Sequence, residues 1–205
     1  RTRKEGTTDR ESLVAAATSQ FHASWQDEGF VSHEQARQLL VRGEATLSRF
    51  VDRNHDHIEP SKVEGWIHLT LASSVLSKRS ESNGLSPQHD IAVRGRIDAL
   101  WLDGEIEIRD YKTSESVTDE KIALRKAKDN APLMIYGYAI REETGRIPDR
   151  LTLDFVETNQ LGTINPSAEQ IDAIAETIRE VSTNIRKGNF DRKPGQHLCD
   201  ICGKI

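Results

Sequence analysis

Between residues 91 and 111 the chain reads as two runs of alternating residues, 91–102 and 105–111, separated only by Asp103-Gly104. Asp-Gly is a strong short-range hairpin signal, because both residues accept the positive φ that a two-residue turn demands. An antiparallel pair is thereby fixed near the middle of the chain, and everything else must pack around it. Asp98 lies in the first strand, and Asp110 and Lys112 close the second. If both strands are regular, Asp98 and Leu100 share a face of the first. In the second, Ile106, Ile108, Asp110 and Lys112 share one face, and Glu105, Glu107, Arg109 and Tyr111 share the other.

The flanks predict an α/β chain. Residues 11–26 have helical composition, with Leu13, Ala16, Ala17, Phe21 and Trp25 on one face. Ser32, with Gln35 three residues on, caps a second helix that runs to about residue 51, and Gly43 within it marks close packing. The segment 53–62 reads as a loop. His55, His57, Asp52, Asp56 and Glu59 around it are taken as solvated side chains rather than a metal cluster. Residues 63–72 alternate as a strand, and a polar connector leads to the hairpin. Beyond Lys112 come a helix over 119–129 and another opened by Pro132 that ends by Gly145. A strand over 151–157 follows, then a last helix capped by Ser167 and Gln170 and stopped at Gly188. This order predicts one α/β domain over 11–205 around a mixed central sheet, after a polar segment 1–10.

Composition narrows the function. The 205 residues carry a net charge of -5, without the basic footprint of an autonomous DNA-binding domain. That balance weighs less against an enzyme delivered to nucleic acid by another module. The only cysteines are Cys199 and Cys202, so no disulfide framework staples the fold, and the expectation is an intracellular, cytoplasmic protein. No apolar run approaches the roughly 20 residues that span a bilayer. The polar start, without an initiating Met, reads as that of a fragment or a processed chain.

Two carboxylates and a backbone carbonyl suit a hard divalent cation, Mg²⁺ or Mn²⁺, which keeps several waters. Such a cation lowers the pKa of bound water and neutralises charge developing on phosphorus. An ammonium one step from the carboxylate can orient the water or stabilise the oxyanion. The plainer account is a set of exposed strand charges in ordinary surface pairs.

The motifs G-R-I-D at 95–98 and D-Y-K-T at 110–113 resemble those of the RecB-like branch of the PD-(D/E)XK nuclease superfamily. Gly95, Ile97, Asp98, Ile108, Asp110, Tyr111, Lys112 and Thr113 carry the likeness. The resemblance implies a restriction-endonuclease-like α/β fold, a mixed central sheet flanked by helices. It makes Asp98 and Asp110 metal ligands, with the Tyr111 carbonyl beside them, and Lys112 the catalytic lysine. The likeness extends to nuclease domains at the C-terminus of UvrD-like or AddB-like helicases, through Phe190, Pro194, Cys199 and Cys202. It thus implies a Mg²⁺- or Mn²⁺-dependent deoxyribonuclease of DNA repair and recombination. The finer expectation is exonuclease action on single strands or ends fed by a helicase.

Two positions depart from the family pattern. Pro132 replaces the glutamine expected four residues before Tyr136, and Thr46 stands where many relatives place a histidine ligand. The rival reading is therefore a catalytically inactive nuclease-like module that binds DNA or docks a helicase. Relatives with an iron–sulfur cluster use four cysteines. Cys199 and Cys202 supply two, so a cluster or a zinc site needs ligands outside this sequence. Arg94 and Arg96 are expected to contact phosphate, and Glu64 is read as a surface strand charge. Tyr136 could stack on a base, although Tyr136 and Tyr138, beside Leu133, Ile135 and Ile140, also fit a core stripe. The basic residues Lys121, Arg125, Lys126 and Lys128 are read as a solvated helix face.

Overall fold

The hairpin forms, but with a longer connection than two residues. β2 (Ile91–Trp101) and β3 (Glu107–Lys112) pair antiparallel, and the innermost partners are Trp101 and Glu107. Gly104 supplies the positive φ of 86°. Residues 105 and 106 were expected in the strand, but Ile106 is engaged elsewhere. Its N–H donates to Asp149 Oδ2 at 2.7 Å, and its carbonyl accepts from the N–H groups of Asp149 and Arg150. The backbone there is tied to the chain entering the next strand rather than to the hairpin.

The structure, a computed structural model, describes residues 9–55, 59–71 and 90–190. α1 (Arg10–Ser24) and α2 (His33–Asn54) precede β1 (Lys62–Leu71), which pairs antiparallel with β2. After β3, α3 (Glu120–Lys128) and α4 (Ala131–Thr144) cross over to β4 (Arg150–Phe155), which lies parallel to β3. β5 (Gln160–Ile164) turns back antiparallel, and α5 (Ala168–Arg186) follows. The strands form one mixed sheet in the order β1-β2-β3-β4-β5, flanked by helices. Among the described residues no helix is long and apolar enough to cross a membrane.

The helix signals act as their chemistry demands. The Ser32 hydroxyl accepts from Gln35 N–H, and Ser167 and Gln170 make both halves of a capping box. Gly145 ends α4 in the left-handed region. Gly43 admits the Phe21 ring of α1, which would lie 2.4 Å from a Cβ at that position.

Two expectations fail for tertiary reasons. β5 was not foreseen: no strand was expected between 157 and the helix capped by Ser167. In the fold a Cβ at Gly162 would stand 2.2 Å from the Ala123 carbonyl oxygen, so the glycine lets the backbone of α3 rest on the sheet. Likewise α2 continues through Arg53 and Asn54, residues expected in a loop. Arg53 Nη2 reaches both oxygens of Asp154 at 2.5 and 2.6 Å, and this anchor holds the last turn of the helix.

The two faces of the β3–β4 pair differ. Toward α4 and α5 lies the apolar core, where Ile97, Ile108, Leu133, Ile140, Leu151 and Ile171 are each at most 1% exposed. Burying such a side chain contributes about 1.5–3 kcal/mol. Toward α2 lies a buried charged layer. Arg109 donates to Glu107 Oε1 at 2.8 Å and to Asn54 Oδ1 at 2.9 Å, and Asp154, fully buried, takes Arg53. Removing one partner of such a pair costs about 3–5 kcal/mol, because it strands the other charge.

Candidate active site

The ladder between β2 and β3 ends at Ala99 and Arg109. One step further the same register sets Asp98 across from Asp110. There the Tyr111 N–H donates to Asp98 Oδ2 at 2.7 Å, so a side chain takes up a strand donor beyond the last ladder pair. This bond ties the first acid to the strand that carries the second. In an extended strand a residue's carbonyl leaves on the same edge as its N–H. The Tyr111 carbonyl is therefore directed to the gap beside Asp98.

Asp110 is 6% exposed, and its pKa is raised. Burial is the main cause, the charge of Asp98 adds to it, and Lys112 opposes both. Lys112 Nζ lies 2.5 Å from Asp110 Oδ2. This ion pair sets the ammonium directly against the buried carboxylate. A buried carboxylate beside a second carboxylate is the kind of oxygen pair that a hard cation takes. Among the described residues no group of three His, Cys, Asp or Glu converges to hold a metal. Asp98, Asp110 and the Tyr111 carbonyl could together offer oxygens to a cation that keeps several waters.

Tyr136 joins this cluster from α4. Its pKa is raised by burial and then by the charges of Asp110 and Asp98. The ring packs over Gly95, where a Cβ would stand 2.8 Å from Tyr136 Cε1. Tyr138 takes the other role open to this pair: it is buried, with Arg141 4.9 Å over its ring. The glycine of G-R-I-D therefore makes room for the aromatic ring that borders the acids.

The first strand is not regular. Gly95 and Asp98, three residues apart, both present to the α4 side, whereas strict alternation would separate them. The break lies opposite Glu64, which has a φ of 52° and is missing from the ladder between the pairs Val63–Ala99 and Gly65–Ile97. Left-handed backbone at a glutamate carries local strain. Glu64 also pairs with Arg96 at 2.7 Å, both side chains being more than half exposed. Arg94 and Arg96 alternate with Gly95 and so face away from Tyr136. The structure brings Asp98, Asp110, Lys112 and Tyr136 together and sets the two arginines on the outer face of the hairpin.

Thr46 sits buried in α2, donating to Glu157 Oε2 at 3.4 Å and accepting from Arg49 at 2.9 Å. Pro132 lies in the exposed first turn of α4. Beside Lys112 opens a cavity lined also by Ser114, Lys126, Asp129, Asn130, Leu153 and Phe155. The sequence did not single out Lys126 from its three basic neighbours on α3, because only the packing of that helix aims it here. Asp56, His57, Pro194, Cys199 and Cys202 lie outside the described residues.

A five-stranded mixed sheet flanked by helices, with two acids and a lysine at the open end of its central hairpin, defines a restriction-endonuclease-like fold. The chain belongs to the PD-(D/E)XK nuclease superfamily, whose family model matches residues 2–204. Among solved structures it is similar to one described as "Crystal structure of SSO0001". The two share 15% identity with a TM-score of 0.36, over 88% of this chain and 78% of that one. No curated protein matches the chain.

Proposed function

We propose that this chain is a nuclease domain of the RecB-like branch that hydrolyses phosphodiester bonds of DNA with Mg²⁺ or Mn²⁺. The observation that carries this reading is the Tyr111–Asp98 hydrogen bond, which holds two carboxylates and a lysine at one end of the hairpin. Asp98, Asp110 and the Tyr111 carbonyl would hold the cation. When bound, it supplies an acidified water and neutralises charge on the scissile phosphate. Lys112, kept beside Asp110 by their charges, donates toward the attacking water or a non-bridging oxygen. Tyr136 closes the α4 side of the site and limits where a nucleotide can sit. The likeness of Phe190, Pro194, Cys199 and Cys202 to helicase-linked domains supports a place as the C-terminal module of a repair or recombination helicase. Single strands or ends are then the substrate, with exonuclease action.

The test is cleavage of end-labelled single-stranded DNA with Mg²⁺ or Mn²⁺, using wild type, Asp98→Ala, Asp110→Ala and Lys112→Ala. Wild type should cleave, EDTA should stop it, and each variant should lose about 100-fold or more. Activity that survives in all three variants would sink the assignment. A wild type that binds DNA without cutting it would favour the inactive module.

A further inference from the structure

The cavity beside Lys112 lies where two parallel strands end together. Lys112 and Phe155 are register partners at the C-terminal ends of β3 and β4, and both line it. Crevices at the carboxyl ends of parallel strands are where open α/β sheets place their ligands. The rim is furnished with donors. Lys126 comes from α3, is exposed, and makes no ion pair with another described residue. Asn130 spends its Oδ1 on the Leu133 N–H, which leaves its amide N–H groups for a ligand. Ser114 adds a hydroxyl, and Leu153 and Phe155 give an apolar floor. Asp129 is the single acid of the lining, against two lysines.

We propose that this cavity is a nucleotide subsite next to the scissile position. It receives one backbone phosphate of a single DNA strand on Lys126, with the sugar against Leu153 and Phe155. A phosphodiester fits because it needs one cation, one or two further donors and an apolar wall for the sugar. Lys112 belongs to both places, so a phosphate seated on Lys126 sets the neighbouring phosphate before the acids. The other three basic residues of α3 do not line the cavity. The inference rests on the nuclease reading for its register, but its test is separable from that reading.

The experiment compares wild type with Lys126→Gln, Lys126→Arg and Lys128→Gln, the last being a charge control on the same helix. Cleavage of a labelled single-stranded oligonucleotide gives KM and kcat. Binding of the same oligonucleotide without divalent metal, across a salt series, gives the number of phosphates neutralised. Lys126→Gln should raise KM about fivefold to tenfold, with kcat changed less than about twofold. It should also make the log–log salt slope shallower by about 0.7, the single-strand value for one phosphate. Lys126→Arg should restore both, and Lys128→Gln should leave both near wild type. An unchanged KM and slope in Lys126→Gln, or equal losses in Lys128→Gln, overturns the subsite while cleavage dependent on Asp110 stands. If wild type cuts nothing, a slope change confined to Lys126→Gln keeps the subsite and removes the nuclease reading.

Discussion

Substitution of Asp98 separates two jobs that its carboxylate performs together, holding a cation and tying β2 to β3. Asparagine keeps an oxygen of nearly the same shape for the Tyr111 N–H, which lies 2.7 Å from Asp98 Oδ2, whereas alanine keeps none. A hydrogen bond to a charged acceptor contributes about 1.5–3 kcal/mol and a neutral one about 0.5–1.5 kcal/mol. Asparagine therefore loses part of the interaction and alanine all of it. Both variants also remove the repulsion that helps raise the Asp110 pKa, a relief that cancels when the two are compared. Asp98 is only half-buried, so water can reach an orphaned N–H and soften the loss. Asp98→Ala should then be less stable than Asp98→Asn by about 1 kcal/mol, read as a lower urea midpoint at constant m. The Tyr111 amide should exchange about fivefold faster in the alanine variant. Both should be inactive. Equal midpoints together with equal Tyr111 exchange would show that Asp98 does not anchor the second strand, and the geometry proposed for the site would lose its support.

Two further outcomes follow from the same structure. Without metal, the Asp110 carboxyl should titrate above the ordinary 3.8, fall toward it in Asp98→Asn and rise further in Lys112→Met, as followed by carboxyl ¹³C shifts. Because the folded pKa is raised, the stability linked to this proton is present below the unfolded pKa and is lost as pH rises through the folded value. Metal affinity runs the other way and falls as pH drops through that value, and a midpoint at or below 3.8 would refute the account. Separately, Gly162→Ala should cost about 3 kcal/mol, at the upper end for overpacking, because the obstacle is the Ala123 carbonyl rather than a movable side chain. Thermal unfolding checks this, and a loss below about 1 kcal/mol would mean that α3 does not rest on β5 there.

Local chemistry in the sequence was enough to place most elements, and the family resemblance singled out the candidate site residues. Asp103-Gly104, the Ser32 cap, the Ser167–Gln170 box and Gly145 each act within a few residues, so their meaning is visible without the fold. The motif residues Asp98, Asp110 and Lys112 also converge on one end of the hairpin. What escaped depends on partners far along the chain. Glu107 and Arg109 could be placed on one strand face but not in a buried layer, because Arg53 and Asp154, which complete it, lie about 50 residues away on either side. β5 was missed because the α3 backbone that makes Gly162 fit a strand lies far from it in sequence. The placement of Arg94 and Arg96 on the outer face depends on one change of alternation opposite Glu64, and no local pattern announces a left-handed glutamate.

The charged layer behind β3 also separates what salt can reach from what it cannot. Arg53, Arg109, Glu107 and Asp154 are largely closed to solvent, and charges at that depth are screened far less than exposed ones. Contacts between lysines and phosphates lie at the other extreme and weaken steeply as ionic strength rises. Added salt should therefore loosen the grip on a strand while the strand bearing Asp110 stays braced from the rear. On the proposed nuclease reading, such a domain would release and re-engage a DNA strand without rebuilding its candidate site.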